Sequence, residues 1–237
     1  MTGDATLITG VGKRAGHHVA REFLRRGMPV IGTYRTRYRS LDELEDLGAE
    51  LHRCDFDRRE DVEGLIAVVK RRHQRLRGII HNASDWTPDD ADMPAHELIE
   101  SMMRVHANVP YELNRALAPL LQRCTATHAD IVHIGDYVSS RGSSRHAAYA
   151  ASKAAQDNLT LSFASLLAPK VKVNSVAPAL LIFNDDDDAA YRARAVAKSL
   201  MQREGGLDEL QRAIDYLFAS EYVTGRILPV DGGRHLK

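Results

Sequence analysis

Residues Ala5 to Gly16, ATLITGVGKRAG, leave this chain few folds to choose from. A strand-forming run, Ala5 to Thr9, passes directly into the glycine loop Gly10 to Gly16, and beyond it Val19, Ala20, Phe23 and Leu24 recur at the spacing of one helix face. A strand that reaches a helix through glycines opens a parallel α/β unit, where loop amides and the helix N-terminus can hold a pyrophosphate. Gly10, Gly12 and Gly16 would supply the dihedrals and the close backbone approach, with Lys13 and Arg14 between them; a plain tight turn would use the same glycines.

The pattern repeats along the chain. Further strands are expected at Pro29 to Tyr34, Glu50 to Phe56, Gly78 to Ser84, Asp130 to Asp136, Val171 to Pro178 and Arg226 to Gly233, with amphipathic helices between them. Alternation of this kind implies one doubly wound, Rossmann-like α/β domain over 1–237, a parallel sheet flanked by helices. Ser40 and Glu43 have capping-box spacing for a short helix, and Pro110 should kink or break the helical stretch from Ala95 to Gln122. The segment at about 180–205 is irregular and then helical, suiting a lid; its aspartates Asp185 to Asp188 fit capping and solvation better than metal binding.

Lys and Arg together (32) equal Asp and Glu (32), which argues against nucleic acid or a membrane surface as a general partner. No apolar run is long enough to span a bilayer. Two distant cysteines, Cys54 and Cys124, and the absence of a signal-like start point to a reducing, cytoplasmic setting. Eleven histidines form no ligand motif, so no metal is expected.

Several residues should gather at the sheet edge where parallel strands bind ligands. After the second strand, Tyr34, Arg35 and Thr36 stand where a ribose-binding acid would select NADH, and no carboxylate is there. Arg35, with Lys13 or Arg14, could pair with a 2′-phosphate, which favours NADPH; ordinary surface cations are the alternative. Asp55, followed by Phe56, could accept from an adenine amino group or be a solvated loop acid. Trp86, the only tryptophan, is a candidate stacking surface for a flat ligand or a core residue. Tyr149 and Lys153 lie one helical turn apart, either as a solvated pair or as a catalytic one in which the ammonium lowers the phenol's pKa.

Taken together, TGxxxRxG at Thr9 to Gly16, NAS at Asn82, Ala83 and Ser84, YxxxK at Tyr149 to Lys153, NSVAP at Asn174 to Pro178 and VDGG at Val230 to Gly233 resemble the short-chain dehydrogenase/reductase family over essentially the whole chain. Asp136, where most members carry Ser thirteen residues before the Tyr, and Arg14, where they carry Gly, are similar to the pteridine reductase branch, as is an aromatic ring two residues after NAS. The resemblance implies NADPH-dependent reduction of a dihydropterin, with activity on dihydrofolate. Tyr149 would donate the proton, Lys153 would assist it and hold the nicotinamide ribose, and Asp136 would hold the pterin or relay a water. Arg14, Ser84, Trp86, Asp136 and Tyr149 would bind substrate; the glycine loop, Tyr34 to Thr36, Asp55, Phe56, Asn82 to Ser84, Tyr149, Lys153 and Pro178 would bind cofactor. A homotetramer is also implied. The family's helix asparagine aligns with His106, two residues before Asn108, leaving either of the two to replace it in a water relay, and Ala179 follows Pro178 in place of the usual Gly. A reductase acting on carbonyl or enoyl groups, or an NADPH-binding sensor without turnover, are the rival readings.

Overall fold

The computed structural model describes residues 3–237. Seven strands form one sheet: β1 (Ala5–Ile8), β2 (Val30–Tyr34), β3 (Glu50–Arg53), β4 (Leu76–His81), β5 (Ala129–Ile134), β6 (Val171–Pro178) and β7 (Ile227–Val230). All pair in parallel in the order β3-β2-β1-β4-β5-β6-β7. The order reverses between β1 and β4, so the connections leave in opposite directions there and open a crevice above the strand ends.

The helices are α1 (Arg14–Arg25), α2 (Ser40–Asp46), α3 (Arg59–Arg72), α4 (Ala95–Met103), α5 (Val109–Gln122), α6 (Ala147–Leu167), α7 (Ala189–Val196) and α8 (Leu207–Ala219). They cover both faces of the sheet, which is why its strands read as unbroken apolar runs. Leu7 packs into the layer with α3, α5 and α6, while its neighbour Ile8 packs into the opposite layer with α1 and α8. Ile79 and Ile80, and Ile131 and Val132, divide in the same way.

Two expectations change in the structure. The helix expected around Pro110 does not break at the proline itself: a π turn at Arg104–Asn108 joins α4 to α5, and Pro110 falls in the first turn of α5, where a missing N–H costs least. The capping box at Ser40 does not form. Ser40 Oγ instead donates to the Gly12 carbonyl at 2.6 Å, binding α2 to the glycine loop. Asp188, in contrast, caps α7 through the Tyr191 amide at 2.6 Å.

Candidate active site

A cavity of about 500 Å³ lies above the crevice, walled by the ends of β1, β2, β4, β5 and β6. Every residue expected at the cofactor or the chemistry lines it, with one exception, Trp86.

The glycine loop forms its floor. Gly10 has φ +73, and a Cβ there would stand 2.8 Å from Ala83 Cα; one on Gly16 would stand 2.2 Å from the Gly10 carbonyl oxygen. Neither position admits a side chain. Asn82 closes the loop from the other side, donating through Nδ2 to the carbonyls of Thr9 (3.0 Å) and Gly10 (3.1 Å). The N-terminus of α1 has no side-chain cap and no acid in its first turn, so its free amides suit a bound pyrophosphate.

Arg14 differs from its expected role. Its φ is +53, a region where a side chain costs about 1 kcal/mol and glycine nothing. Its guanidinium reaches over the cavity to Asn184 Oδ1 (2.7 Å) and to the carbonyls of Ile182 (3.2 Å) and Phe183 (3.5 Å). Thus Arg14 fastens the glycine loop to the segment that follows β6, rather than standing free for a phosphate. Arg35, at the mouth, pairs with Asp85 at 3.0 Å. Both groups are about half exposed, so a pair worth about 0–1 kcal/mol yields readily to a doubly charged phosphate. Lys13 lies over the Tyr38 ring at 5.3 Å, and Asp55 accepts from the Asp57 amide at 3.2 Å.

At the far end α6 brings Tyr149 and Lys153 to the cavity on one face. Tyr149 Oη donates to Asp136 Oδ2 at 2.9 Å, while Asp136 Oδ1 accepts from the Val138 amide at 2.9 Å. The carboxylate is therefore fixed at both oxygens. Lys153 Nζ turns inward, donating to the Ile134 carbonyl (2.7 Å) and to Gln156 Oε1 (3.3 Å).

Charge in this group runs against the sequence expectation. The phenol of Tyr149 is raised well above 10.0 by burial and then by the adjoining Asp136 charge. The ammonium of Lys153, which was to lower it, points instead at a carbonyl. Burial itself pushes Lys153 down to about 8, against the pull of Asp136 and Asp157. Burial also raises Asp136, against its hydrogen bonds and Lys153. Tyr149 is consequently a protonated phenol, a proton donor rather than a base.

Trp86 is neither core nor cavity wall. It is 60% exposed and stacks on His146, with centroids 4.1 Å apart and planes inclined by 20°. One indole face is thus taken by the residue that precedes α6, and the other is open. The loop that carries Trp86 also supports the helix bearing Tyr149, because Asp89 accepts from the amides of Ala147 and Ala148 and caps its N-terminus.

His106 and Ser152 carried no assigned part. His106 is buried in the π turn and bridges Ser84 and Ser152. Its sequence signal was only its alignment with an asparagine. Asn108 is exposed and lies outside the cavity. Among the described residues no cluster of His, Cys, Asp or Glu could hold a metal ion, and no helix is long and apolar enough to cross a membrane.

A glycine loop running into an uncapped helix N-terminus at the β1–α1 turn and a buried Tyr–Lys pair on α6 define a nucleotide-dependent oxidoreductase of the parallel α/β type. The chain belongs to the short-chain dehydrogenase/reductase family, and the family model described as enoyl-(acyl carrier protein) reductase matches residues 10–235. It is similar to the dihydromonapterin reductase of Klebsiella pneumoniae, 49% identical over 231 residues that cover 98% of this chain and 96% of that one. The Escherichia coli dihydromonapterin reductase is 48% identical over the same shares. Among solved structures, the alternative dihydrofolate reductase 1 of Brucella canis, complexed with NADP, superposes with a TM-score of 0.84 at 27% identity, covering 99% of this chain and 94% of that one.

Proposed function

We propose that this protein reduces 7,8-dihydromonapterin to 5,6,7,8-tetrahydromonapterin with NADPH, with dihydrofolate as a second substrate. The observation that carries this reading is Asp136: an acid, held by Tyr149 and the Val138 amide, stands where a carbonyl reductase needs a neutral hydroxyl donor. Similarity to dihydromonapterin reductases over nearly the full length supports it.

The glycine loop and the N-terminus of α1 would hold the cofactor pyrophosphate, and Arg35 at the mouth would take the 2′-phosphate in exchange for Asp85. When bound, NADPH supplies a hydride, which pterin reduction requires at C6. Tyr149, a neutral phenol, supplies the proton to N5. The phenolate left behind is stabilised by the positive charge of Lys153, and Asp136 holds the pterin or relays a water that returns the proton. Asp136 and Ser84 orient the pterin, and the segment at 180–205 closes over it, tied to the glycine loop by Arg14.

The whole chain acts as one domain and assembles as a homotetramer in the cytoplasm, without nucleic acid or membrane partners. Exposed Tyr111 on α5, and Leu161 and Leu166 on α6, support assembly. The test follows NADPH or NADH oxidation by absorbance with dihydromonapterin, dihydrobiopterin, dihydrofolate, a simple ketone and an enoyl thioester side by side. Preferred turnover of the dihydropterins with NADPH is expected. Faster turnover of the ketone or thioester would overturn the assignment.

A further inference from the structure

His106 is fully buried behind the cavity wall and takes no part in the chemistry set out above. Each of its ring nitrogens meets one serine: Nδ1 lies 2.8 Å from Ser152 Oγ, and Nε2 lies 2.8 Å from Ser84 Oγ. The ring also stands edge-on to Tyr149, with centroids 5.3 Å apart. Burial, and after it the Lys153 charge, lowers its pKa to about 2. The imidazole is therefore neutral, and it must donate at one nitrogen and accept at the other.

The serines decide which. Ser152 Oγ donates to the Tyr149 carbonyl at 2.7 Å, one turn back along α6. A Ser152 lone pair then faces Nδ1, which places the ring proton on Nδ1. Nε2 is left as an acceptor, and the Ser84 hydroxyl donates to it, a closer contact than the 3.3 Å to the Asp85 carbonyl. With its single proton turned towards His106, Ser84 offers the cavity only lone pairs.

We propose that His106 is a positioning residue for substrate choice: acting through Ser84, it makes that wall of the cavity accept an N–H and reject a carbonyl oxygen. Asp136 is a second acceptor lining the same cavity. A fused ring with an amino group and a neighbouring ring N–H satisfies such a wall. A ketone or acyl thioester would set oxygen lone pairs against those of Ser84, and the mismatch is costly because the ligand covers this exposed hydroxyl, and a polar group buried without a partner loses its whole desolvation energy. This inference rests on the pterin reading for the identity of the ligand, but not for the direction of the hydrogen bonds.

Two measurements test it. Nitrogen-15 NMR of the ring of His106, in the full ligand-free protein and assigned by loss of its signals in His106→Leu, should show Nδ1 protonated and Nε2 bare; a proton on Nε2 overturns the proposal. The second compares kcat/KM for a 7,8-dihydropterin and for its 2-oxo counterpart, in which a carbonyl replaces the amino group. The unsubstituted protein should prefer the amino compound by about tenfold or more, and His106→Leu should reduce that preference to about threefold or less, the size expected for one neutral hydrogen bond. The dissociation constant for NADPH should stay within about twofold of the original, as a loss confined to one hydrogen bond at the substrate wall requires. An unchanged preference in a folded variant overturns the proposal, and if the variant does not fold, the NMR result decides. Failure of the unsubstituted protein to turn over any dihydropterin would sink the proposed function while leaving the tautomer assignment standing.

Discussion

Deprotonation of Lys153 should set the alkaline limit of activity, and Asp136 should govern where it falls. Displacement of the ammonium from its ordinary 10.5 to about 8 corresponds to about 3 kcal/mol of bias against the buried charge. The sign follows from that direction: the charged form is present below about 8 and is lost as the pH rises through it. About nine-tenths of the lysine is charged at pH 7 and about one-tenth at pH 9, so kcat/KM for NADPH, which reports the free enzyme, should fall about tenfold between them. Asp136 is the larger of the two charges that favour the ammonium. Asp136→Asn keeps one oxygen for the Val138 amide, turns an NH2 group towards the Tyr149 oxygen and removes that charge, so its midpoint should move below 8. The assay is NADPH oxidation under limiting cofactor across the pH range. A profile flat to pH 10, or a midpoint in Asp136→Asn equal to or above that of the unsubstituted protein, would refute the reasoning.

Arg14→Gly should relieve about 1 kcal/mol of backbone strain and release the segment after β6, leaving the melting temperature level or slightly raised while KM for the dihydropterin rises several-fold; an unchanged KM would separate that segment from substrate binding. His81 and His106 are held neutral by burial, down to about 4 and about 2, while the unfolded chain titrates near 6.5. Below pH 6.5 the unfolded state takes up protons that the fold refuses, so stability falls as the pH falls, by about 2 kcal/mol for each histidine at pH 5. Equal melting temperatures at pH 7 and pH 5 would contradict this. Because the indole stands outside the cavity, Trp86→Ala should raise KM for the dihydropterin less than Ser84→Ala does; the reverse order in steady-state kinetics would place the ring against the substrate.

Short-range patterns in the chain carry most of the architecture. Leu7 with Ile8, or Ile79 with Ile80, must face opposite layers in any strand, and runs of such pairs separated by amphipathic helices admit little besides a sheet covered on both sides. The spacing of Tyr149 and Lys153 survives because a helix fixes it. What spacing does not carry is direction. Lys153 finds the Ile134 carbonyl, nineteen residues away, and Arg14 finds Asn184 across 170 positions; neither partner is marked in the sequence. Ser40 had a local use as a cap and takes a distant one on Gly12. Nothing nearby in the chain discloses that Trp86 stacks one face on His146.

The π turn at Arg104–Asn108 has a consequence in phase. A π turn holds one residue more than the helix on either side of it, and one residue in an α-helix is a rotation of about 100°. The π turn absorbs that offset, and one rod serves two clients, with Leu98 and Met102 facing Tyr149 while Leu113, Leu117 and Leu120 face the main core. Deleting any single residue between 104 and 108 would restore ordinary α spacing and leave both faces where they stand, with Leu98 and Met102 still against Tyr149 and Leu113, Leu117 and Leu120 still in the core. What the extra residue supplies is local: it is the turn that carries His106 to its place between Ser84 and Ser152.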